Sequence, residues 1–376
     1  MHGGGVPSPR ETCAAITETR GVRAPRLHRE PPTSVRSVVK LLSLLLIAAL
    51  PLVAAPVIGS LAKALVAPII TVTDKAKPSP TGDNHDYVSY ARYYWPNPNT
   101  PDGLPFVSRD GQHNREQVAA GDRDKVDKLV DAVTQLAHGW TEQHRADCAL
   151  RAGEWLRAWF ITPATRMAPG LKYAQVRLGH SQNLGNAAGV LDTRDFAKIV
   201  AVIPVLRGSP AFTADEEKAI QAWFGEHYRW LQTAPTAKAE HAAKNNHGTW
   251  FLVQAAAIAH YLGKDDEARA LYEEDKAHIA AHFAADGSQP EEIRREDGLH
   301  YSHFNLQAHL ELAVQAKKLG VDLWHYIAPN GASLKKGIEY VRPYNAAPET
   351  WPHKEKEKKQ PGFMDDILAR AAELDK

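Results

Sequence analysis

The chain has 376 residues, of which 44% are hydrophobic and 24% charged, so it has an ordinary globular composition that allows one large domain or two smaller ones. Its formal net charge of +1 argues against a nucleic-acid-binding surface, which requires a marked basic excess. An anionic polysaccharide is compatible with this total, because the field in a cleft depends on the charges that line it. The two cysteines are Cys13 and Cys148. We expect no disulfide between them and interpret Cys148 as a buried thiol.

The N-terminus has the composition of a secretion signal. Residues 1–34 are rich in Gly, Pro and Arg without periodicity, so we interpret them as a non-structural extension or as residues upstream of the true start. The stretch 41–50 is apolar, follows basic residues and leads to small ones, as in a signal peptide. Apolar character resumes over 61–70, so we interpret residues 35–70 as a signal peptide or an uncleaved membrane anchor. We therefore expect a periplasmic or secreted protein with no stable membrane partner unless the signal is retained.

Residues 71–85 lack an apolar rhythm, so we interpret them as a linker that precedes a domain over 86–376. The segment 86–98 is dense in aromatic residues and ends in Pro and Asn, which favours an ordered surface loop over a strand. Tyr94 and Trp95 in this loop are candidates for stacking on sugar rings. Alternatively, they fasten the N-terminal segment to the helical body.

From residue 122 onward the apolar residues recur at three- and four-residue spacing, which predicts helices almost throughout. Period-2 alternation of comparable length is absent from the sequence, so the pattern favours an all-α domain of stacked helical hairpins. No fixed-length repeat is visible, which favours a closed toroid over a solenoid. The helices that we predict after the capping box at Thr213 to Glu216 cover 214–230, 250–262, 265–285, 304–319, 334–341 and 364–374.

The first candidate site motif is Asn245-Asn246-His247-Gly248-Thr249-Trp250. Gly248 marks a bend before an apolar helix, and backbone N–H groups at a helix N-terminus favour anions such as a sugar carboxylate. The alternative is purely structural, because Asn is also a good helix cap.

The second motif runs from Asp286-Gly287-Ser288-Gln289-Pro290 to Tyr301. Its Pro and Gly predict a non-helical segment that places Arg294 and Arg295 on a loop, and Tyr301 at the start of the next helix. The planar fork of Arg matches a carboxylate. A single tyrosine at such a position is more typical of packing than of catalysis. The concurrence of Asn, His, Arg and Tyr in one stretch favours a functional site.

Together the motifs resemble the alginate lyase family, which includes mannuronate-specific alginate lyases and related glucuronan lyases. The resemblance covers residues 83–355 and includes the segment 86–102, the Asp192-Thr193-Arg194 triplet and the Trp351-Pro352 pair. It implies an (α/α) toroid, an incomplete barrel of helical hairpins. It also implies cleavage of a uronic-acid polysaccharide, alginate (polymannuronate) or glucuronan, by β-elimination to unsaturated oligosaccharides.

The resemblance also implies roles for four residues. Asn246 and Arg294 hold the substrate carboxylate, with His247 assisting, and Tyr301 acts as base and then as acid to the leaving O4 in a syn elimination. In an anti elimination, His247 is the base and Tyr301 the acid. Neutralising the carboxylate makes the C5 proton removable, because preorganised donors then stabilise the enolate. The choice of base stays open at this stage.

Several further residues are candidates for substrate binding. Arg295 is an alternative to Arg294 as the arginine that faces the substrate. Glu240 is a candidate to share the carboxylate with His247, although we favour a solvated helix residue. The other candidates at the subsites or in a polar loop are Asn245, Trp250, His300, Asn183, Asn186 and Gln175.

Two other functions are compatible with the pattern. An inverting glycoside hydrolase on the same architecture needs two carboxylates across the cleft, and the sequence singles out no such pair. A secreted, non-catalytic polysaccharide-binding protein would use the aromatic loop without the Asn-His-Arg-Tyr set. We expect no metal, no cofactor and a monomer. We also predict that Tyr301→Phe abolishes the activity, whereas Tyr93→Phe does not.

Overall fold

Helices dominate the computed structural model, which describes residues 58–75 and 79–376. Within these residues we name the α-helices α1 to α13 in chain order. They are α1 (Ile58–Val66), α2 (Arg115–Ala119), α3 (Arg123–Gln143), α4 (Ala146–Leu156), α5 (Phe196–Val202), α6 (Ala214–Thr233), α7 (Pro235–His241), α8 (Asn246–Tyr261), α9 (Asp265–His282), α10 (Pro290–Ile293), α11 (Gly298–Lys317), α12 (Leu334–Ala346) and α13 (Asp365–Leu374).

Local signals explain several helix ends. The predicted capping box forms, because the Thr213 hydroxyl accepts a hydrogen bond from the Glu216 N–H while the Glu216 carboxylate accepts one from the Thr213 N–H. Gly263 follows α8 and Gly320 follows α11, and both have positive φ angles that glycine adopts without strain. The predicted helix after residue 304 begins earlier, at Gly298, because contacts from a distant segment complete its first turn.

Short strands replace part of the predicted loop at 86–98. Strand β1 (Val88–Tyr90) pairs in parallel with β4 (Tyr173–Val176), and β2 (Tyr94–Trp95) pairs antiparallel with β3 (Val107–Ser108). These strands have two to four residues each, too short for a period-2 pattern to be visible in the sequence. The β1–β4 pairing joins segments far apart in the chain, so local sequence carries no signal for it.

The core is built around two helices that are buried on nearly all sides, α8 and α11. Helix α8 packs against α5, α9 and α11, and α11 packs in turn against α12 and α13. Near their N-termini, the Thr249 hydroxyl donates to the Asn305 side-chain oxygen at 2.8 Å, and the rings of Trp250 and Phe304 lie 5.1 Å apart. The first turn of α8 therefore lies beside the second turn of α11.

The helical body begins earlier than the sequence predicts. Leu61 and Val72 are buried in the main hydrophobic cluster, and α1 packs against α3. The Trp159 indole N–H donates to the Ile70 carbonyl at 3.0 Å, and Lys75 forms a buried ion pair with Asp122 at 2.7 Å. Leu61 and Ala64 in the stretch 61–70 are therefore core residues, and 71–75 are part of the body rather than a free linker. The apolar pattern of α1 is too short to distinguish a helix of the folded body from the end of a signal peptide or anchor.

Three further predictions concern the N-terminus, the cysteines and a membrane anchor. Residues 1–34, the apolar stretch 41–50 and Cys13 lie outside the described residues, while Cys148 is a buried free thiol, as predicted. No helix within 58–75 and 79–376 combines the length and apolarity that a membrane crossing requires.

We predict that Leu61→Ala lowers the free energy of unfolding by about 2–5 kcal/mol, because it leaves a cavity in the core. Leu61 is 3% exposed, whereas Val66 in the same helix is 80% exposed. Val66→Ala is therefore the matched control, with an expected change below about 0.5 kcal/mol. Urea unfolding measures both, and equal values for the two variants would show that α1 does not pack on the body.

Candidate active site

A cavity of about 800 Å³ lies at the N-terminal ends of α8 and α11, beside β2 and β3. Tyr94, His247, His300 and Tyr301 contribute to its wall. Three aspartates also line it, but arginines outnumber them. The arginines of the lining are Arg92, Arg115, Arg123, Arg177, Arg194 and Arg295. The cavity is thus locally basic in a chain of nearly zero net charge, which suits an anionic ligand.

Asn246 is held by a buried glutamate from the second motif. Its backbone N–H and its side-chain N–H₂ both donate to the carboxyl of Glu292, at 2.7 to 3.0 Å. Glu292 is 1% exposed, and burial raises the pKa of its carboxyl, while the bonds from Asn246 oppose that rise. The Asn246 side-chain oxygen has no hydrogen-bond partner among the described residues. This contact joins the two sequence motifs and fixes the orientation of the Asn246 amide.

His247 is oriented by Glu240. The His247 Nδ1 and the Glu240 Oε1 lie 2.6 Å apart, and Glu240 is 3% exposed. Burial raises the pKa of the Glu240 carboxyl, and the hydrogen bond with His247 lowers it in turn. Glu240 is therefore not the solvated helix residue that we favoured from the sequence. With Nδ1 engaged, Nε2 is the ring nitrogen of His247 left for a ligand in the cavity.

Arg295, and not Arg294, faces the cavity. The Arg295 guanidinium lies 3.9 Å from the centroid of the Tyr301 ring, and its Nε and Nη2 donate to Asp110 at 3.2 and 2.9 Å. These bonds hold the pKa of the Asp110 carboxyl below its usual range. Arg294 ends the turn α10 with a side chain that is 68% exposed and paired with Glu291. The predicted catalytic role of Arg294 is thus not supported by its position.

Tyr301 is linked through hydrogen bonds to two residues of the N-terminal segment. Its hydroxyl lies 2.6 Å from that of Tyr93, and the His113 Nε2 lies 3.3 Å from the Tyr93 hydroxyl. Burial and the neighbouring Tyr93 raise the pKa of Tyr301, whereas Arg295 lowers it. The phenol is therefore neutral at rest. Because Tyr93 bonds to Tyr301 directly, Tyr93→Phe is not the neutral control that the sequence suggested.

His300 precedes Tyr301 on the same turn and lines the cavity. Its ring stacks on Phe304 at 6.2 Å, and burial together with the nearby charge of Lys359 lowers its pKa to about 4. His300 is therefore neutral at pH 7 and contributes a polar, uncharged wall. No group of three or more His, Cys, Asp or Glu side chains in the described part of the chain is arranged to hold a metal ion.

The family model described as alginate lyase matches residues 71–351 of this chain. This chain belongs to the alginate lyase family. A crystal structure of an alginate lyase from Bacteroides ovatus is similar to it with a TM-score of 0.79 and 32% identity, covering 90% of this chain and 89% of that chain. No curated protein sequence matches the chain significantly.

Two more distant structures share the fold. Alginate lyase A1-III from Sphingomonas species A1 has a TM-score of 0.54 at 16% identity, covering 83% of this chain and 84% of that chain. A variant of alginate lyase A1-III complexed with a tetrasaccharide has a TM-score of 0.53 at 18% identity, covering 82% and 78%. The predicted all-α (α/α) toroid and the predicted enzyme class, a polysaccharide lyase, are confirmed.

Not all predicted binding residues reach the cavity of this alginate lyase family member. Trp250 lies behind the wall, under the guanidinium of Arg194 at 5.3 Å. Asn245 caps α8 by accepting from the His247 N–H, and Asn183 is exposed and accepts from the Gly179 N–H. Trp95 is half-buried with its N–H bonded to a backbone carbonyl outside the cavity. Tyr94 does line the cavity, and so does Gln175.

The sequence did not identify several residues of the site. Tyr93 directly precedes β2, Asp110 and His113 follow β3, and all three line the cavity, while Arg177 lies over the Tyr94 ring at 4.8 Å. One local signal existed, because Tyr93 precedes the aromatic pair that we had selected for sugar stacking. Its contact with Tyr301, 208 positions along the chain, has no local signal.

We predict that Arg295→Ala lowers lyase activity by about 100-fold or more, because it removes the cation beside the Tyr301 phenol. Arg294→Ala is the matched control, since it changes the same residue type at the adjacent, exposed position and should stay within about two-fold. The measurement is the initial rate of unsaturated-product formation. A larger loss in Arg294→Ala than in Arg295→Ala would overturn the assignment of Arg295.

Proposed function

We propose that this lyase cleaves a polyuronate of the alginate or glucuronan class inside the basic cavity. The observation that carries the proposal is the joint presence of Asn246, His247, Arg295 and Tyr301 in the lining of one basic cavity. Such a set neutralises a carboxylate and moves one proton without a carboxylate pair. A glycoside hydrolase would instead place two acidic groups across the bond.

The carboxylate of the reacting sugar makes its C5 proton only weakly acidic, and neutralising it lowers the barrier to proton removal. The Asn246 N–H₂ is used by Glu292, whereas His247 at the start of α8 lines the cavity with Nδ1 held by Glu240 and Nε2 left for the substrate. Arg295 and the other arginines of the lining add positive charge beside it. His247 and these arginines stabilise the enolate that forms as the proton leaves C5.

Tyr301 donates the proton that the leaving group needs. Its phenol is neutral at rest because burial raises its pKa, so it is ready to protonate O4 as the C4–O4 bond breaks. The C5–H electrons form the C4–C5 double bond, which leaves an unsaturated sugar at the new non-reducing end. The Arg295 guanidinium over the ring stabilises the phenolate, and the chain from Tyr93 to His113 offers a path for its reprotonation.

The stereochemistry of the polymer decides which group takes the C5 proton. In mannuronan or glucuronan, a syn elimination places O4 and the C5 proton on one face, so Tyr301 takes both steps once its own proton has moved to Tyr93 while the Tyr93 proton has moved to His113. In guluronan, an anti elimination assigns the C5 proton to His247, whose Nδ1 is held by Glu240. The oligosaccharide complex of the distant A1-III variant supports a site for several linked sugars.

We predict that incubation with mannuronan, guluronan and glucuronan produces the ultraviolet absorbance of an unsaturated uronate from at least one of them. Tyr301→Phe should lower this rate by about 100- to 10,000-fold, the usual range for general acid–base catalysis. Tyr344→Phe is the matched control, because its hydroxyl has no hydrogen bond in the described residues and its ring lies outside the cavity. New reducing ends without absorbance would indicate a hydrolase, and binding without cleavage a non-catalytic protein.

The N-terminal composition supports export, and we propose that the mature enzyme is periplasmic or secreted. Because α1 contributes Leu61 to the core, cleavage should occur before Ile58 so that α1 stays with the body. N-terminal sequencing of the exported protein measures this directly. A mature chain that starts after residue 70, or one that keeps the stretch 41–50, would contradict cleavage at that place.

A further inference from the structure

The first turn of α11, the helix that carries His300 and Tyr301, is capped by a segment that lies more than fifty positions further along the chain. We define residues 354–359 as the strap. This segment is a run of alternating Lys and Glu, and it lies beyond residues 71–351, the part of the chain that matches the family model. Nothing in its composition marks it as part of an active site.

The strap satisfies the N–H groups that a helix start leaves without a partner. The Gly298 N–H donates to the Lys354 carbonyl at 2.9 Å. The N–H groups of Leu299 and His300 both donate to one carboxylate oxygen of Glu355, at 2.8 and 3.3 Å. A residue distant in sequence thus performs the capping that a Ser, Thr or Asp directly before a helix normally performs.

The residue at the capping position itself, Asp297, forms no side-chain cap on α11. Its carboxylate instead accepts from the N–H groups of Lys356 and Glu357, at 3.0 and 2.9 Å. The helix start and the strap therefore exchange caps. Gly298 allows this close approach, because a Cβ there would lie 2.7 Å from the Ile293 carbonyl and 3.2 Å from that of Lys354.

Glu355 is itself held in place. Its side chain is 11% exposed, and its second oxygen lies 3.2 Å from the ammonium of Lys359. The positive end of the helix dipole favours a carboxylate at this point. By contrast, the side chain of Glu357 in the same strap is 60% exposed, with Lys359 at 3.7 Å. Only one of these two glutamates is directed at the helix.

We propose that Glu355 is a positioning residue for Tyr301, acting through the first turn of α11. The Tyr301 hydroxyl must meet Tyr93 at 2.6 Å while its ring stays 3.9 Å from the Arg295 guanidinium. The direction of the first helical turn sets both distances, and Glu355 fixes that direction through two adjacent N–H groups. The inference rests on the proposed function of Tyr301 in proton transfer.

The test compares Glu355→Ala and Glu355→Gln with Glu357→Ala as the matched control. In Glu355→Ala, kcat should fall by about 10- to 100-fold, because small displacements of a catalytic group are costly. KM should stay within two-fold, since His247 on α8 and the arginines of the lining outside α11 are untouched. Glu355→Gln keeps an acceptor oxygen and should recover much of kcat, while Glu357→Ala should resemble the wild type. A change in KM alone, or equal losses in both alanine variants, would overturn the proposal.

A double-mutant cycle separates positioning from general destabilisation. In a Tyr301→Phe background, Glu355→Ala should cost no further residual activity, because the group that it positions is already gone. A multiplicative loss would indicate a merely structural role and sink the proposal.

A second readout does not depend on activity. In a crystal structure of Glu355→Ala, the hydroxyls of Tyr301 and Tyr93 should separate beyond hydrogen-bond distance, and an unchanged contact would refute the inference. If the wild type makes no unsaturated product from any polyuronate, the proposed function fails instead, and this crystallographic outcome still reports on Glu355.

Discussion

The buried contact between Glu292 and Asn246 holds the two halves of the site together. Glu292 belongs to the short turn α10, which precedes α11, and Asn246 begins α8, so the contact ties this turn to the N-terminal end of α8. A carboxyl group that is 1% exposed is tolerable only because it accepts from a backbone N–H and a side-chain amide. Removing either partner would leave a buried polar group unsatisfied, at a cost of about 1–3 kcal/mol. The stability of this part of the fold and the orientation of the Asn246 amide therefore depend on the same contact with Glu292.

The same arrangement, an acidic residue that holds a functional group in place, recurs around the other groups of the cavity. Glu240 orients His247, Asp110 orients Arg295, and Glu355 caps the turn that carries Tyr301. The acidic residues thus contribute orientation, while the arginines that line the cavity contribute the positive field. This division explains how a chain with a net charge of +1 presents a basic cavity.

The sequence predicted what is local and missed what depends on distant contacts. Helix periodicity, the capping box at Thr213 and the motif around Asn246 are local, and the structure has them. Which of Arg294 and Arg295 faces the cavity is decided by tertiary contacts and not by the local sequence. It depends on α10, which turns Arg294 toward Glu291, three residues back on the same surface, and leaves Arg295 to reach Asp110.

Side-chain burial was the other property that the sequence predicted wrongly. Glu240 looked like a solvated helix residue, because one charged side chain in a polar helix carries no sign of its neighbours. Its burial comes from packing of α7 against α8 and the segment around 187–193. The predictions for Leu61 and Val72 erred in the opposite way, since Leu61 lies in an apolar run that resembles more of the signal and Val72 lies in a segment without apolar rhythm. Only their contacts with the body show that they are core.

The contacts of Arg295 change the role that the resemblance implied for the arginine of the site. Its Nε and one N–H of Nη2 donate to Asp110, which leaves the outer N–H groups of Nη1 and Nη2 for a substrate carboxylate. Its position over the Tyr301 ring suits a second task, the stabilisation of the phenolate that forms when the proton reaches O4. Arg295 therefore serves both the carboxylate and the phenolate, whereas the resemblance assigned the arginine of the site to the carboxylate alone.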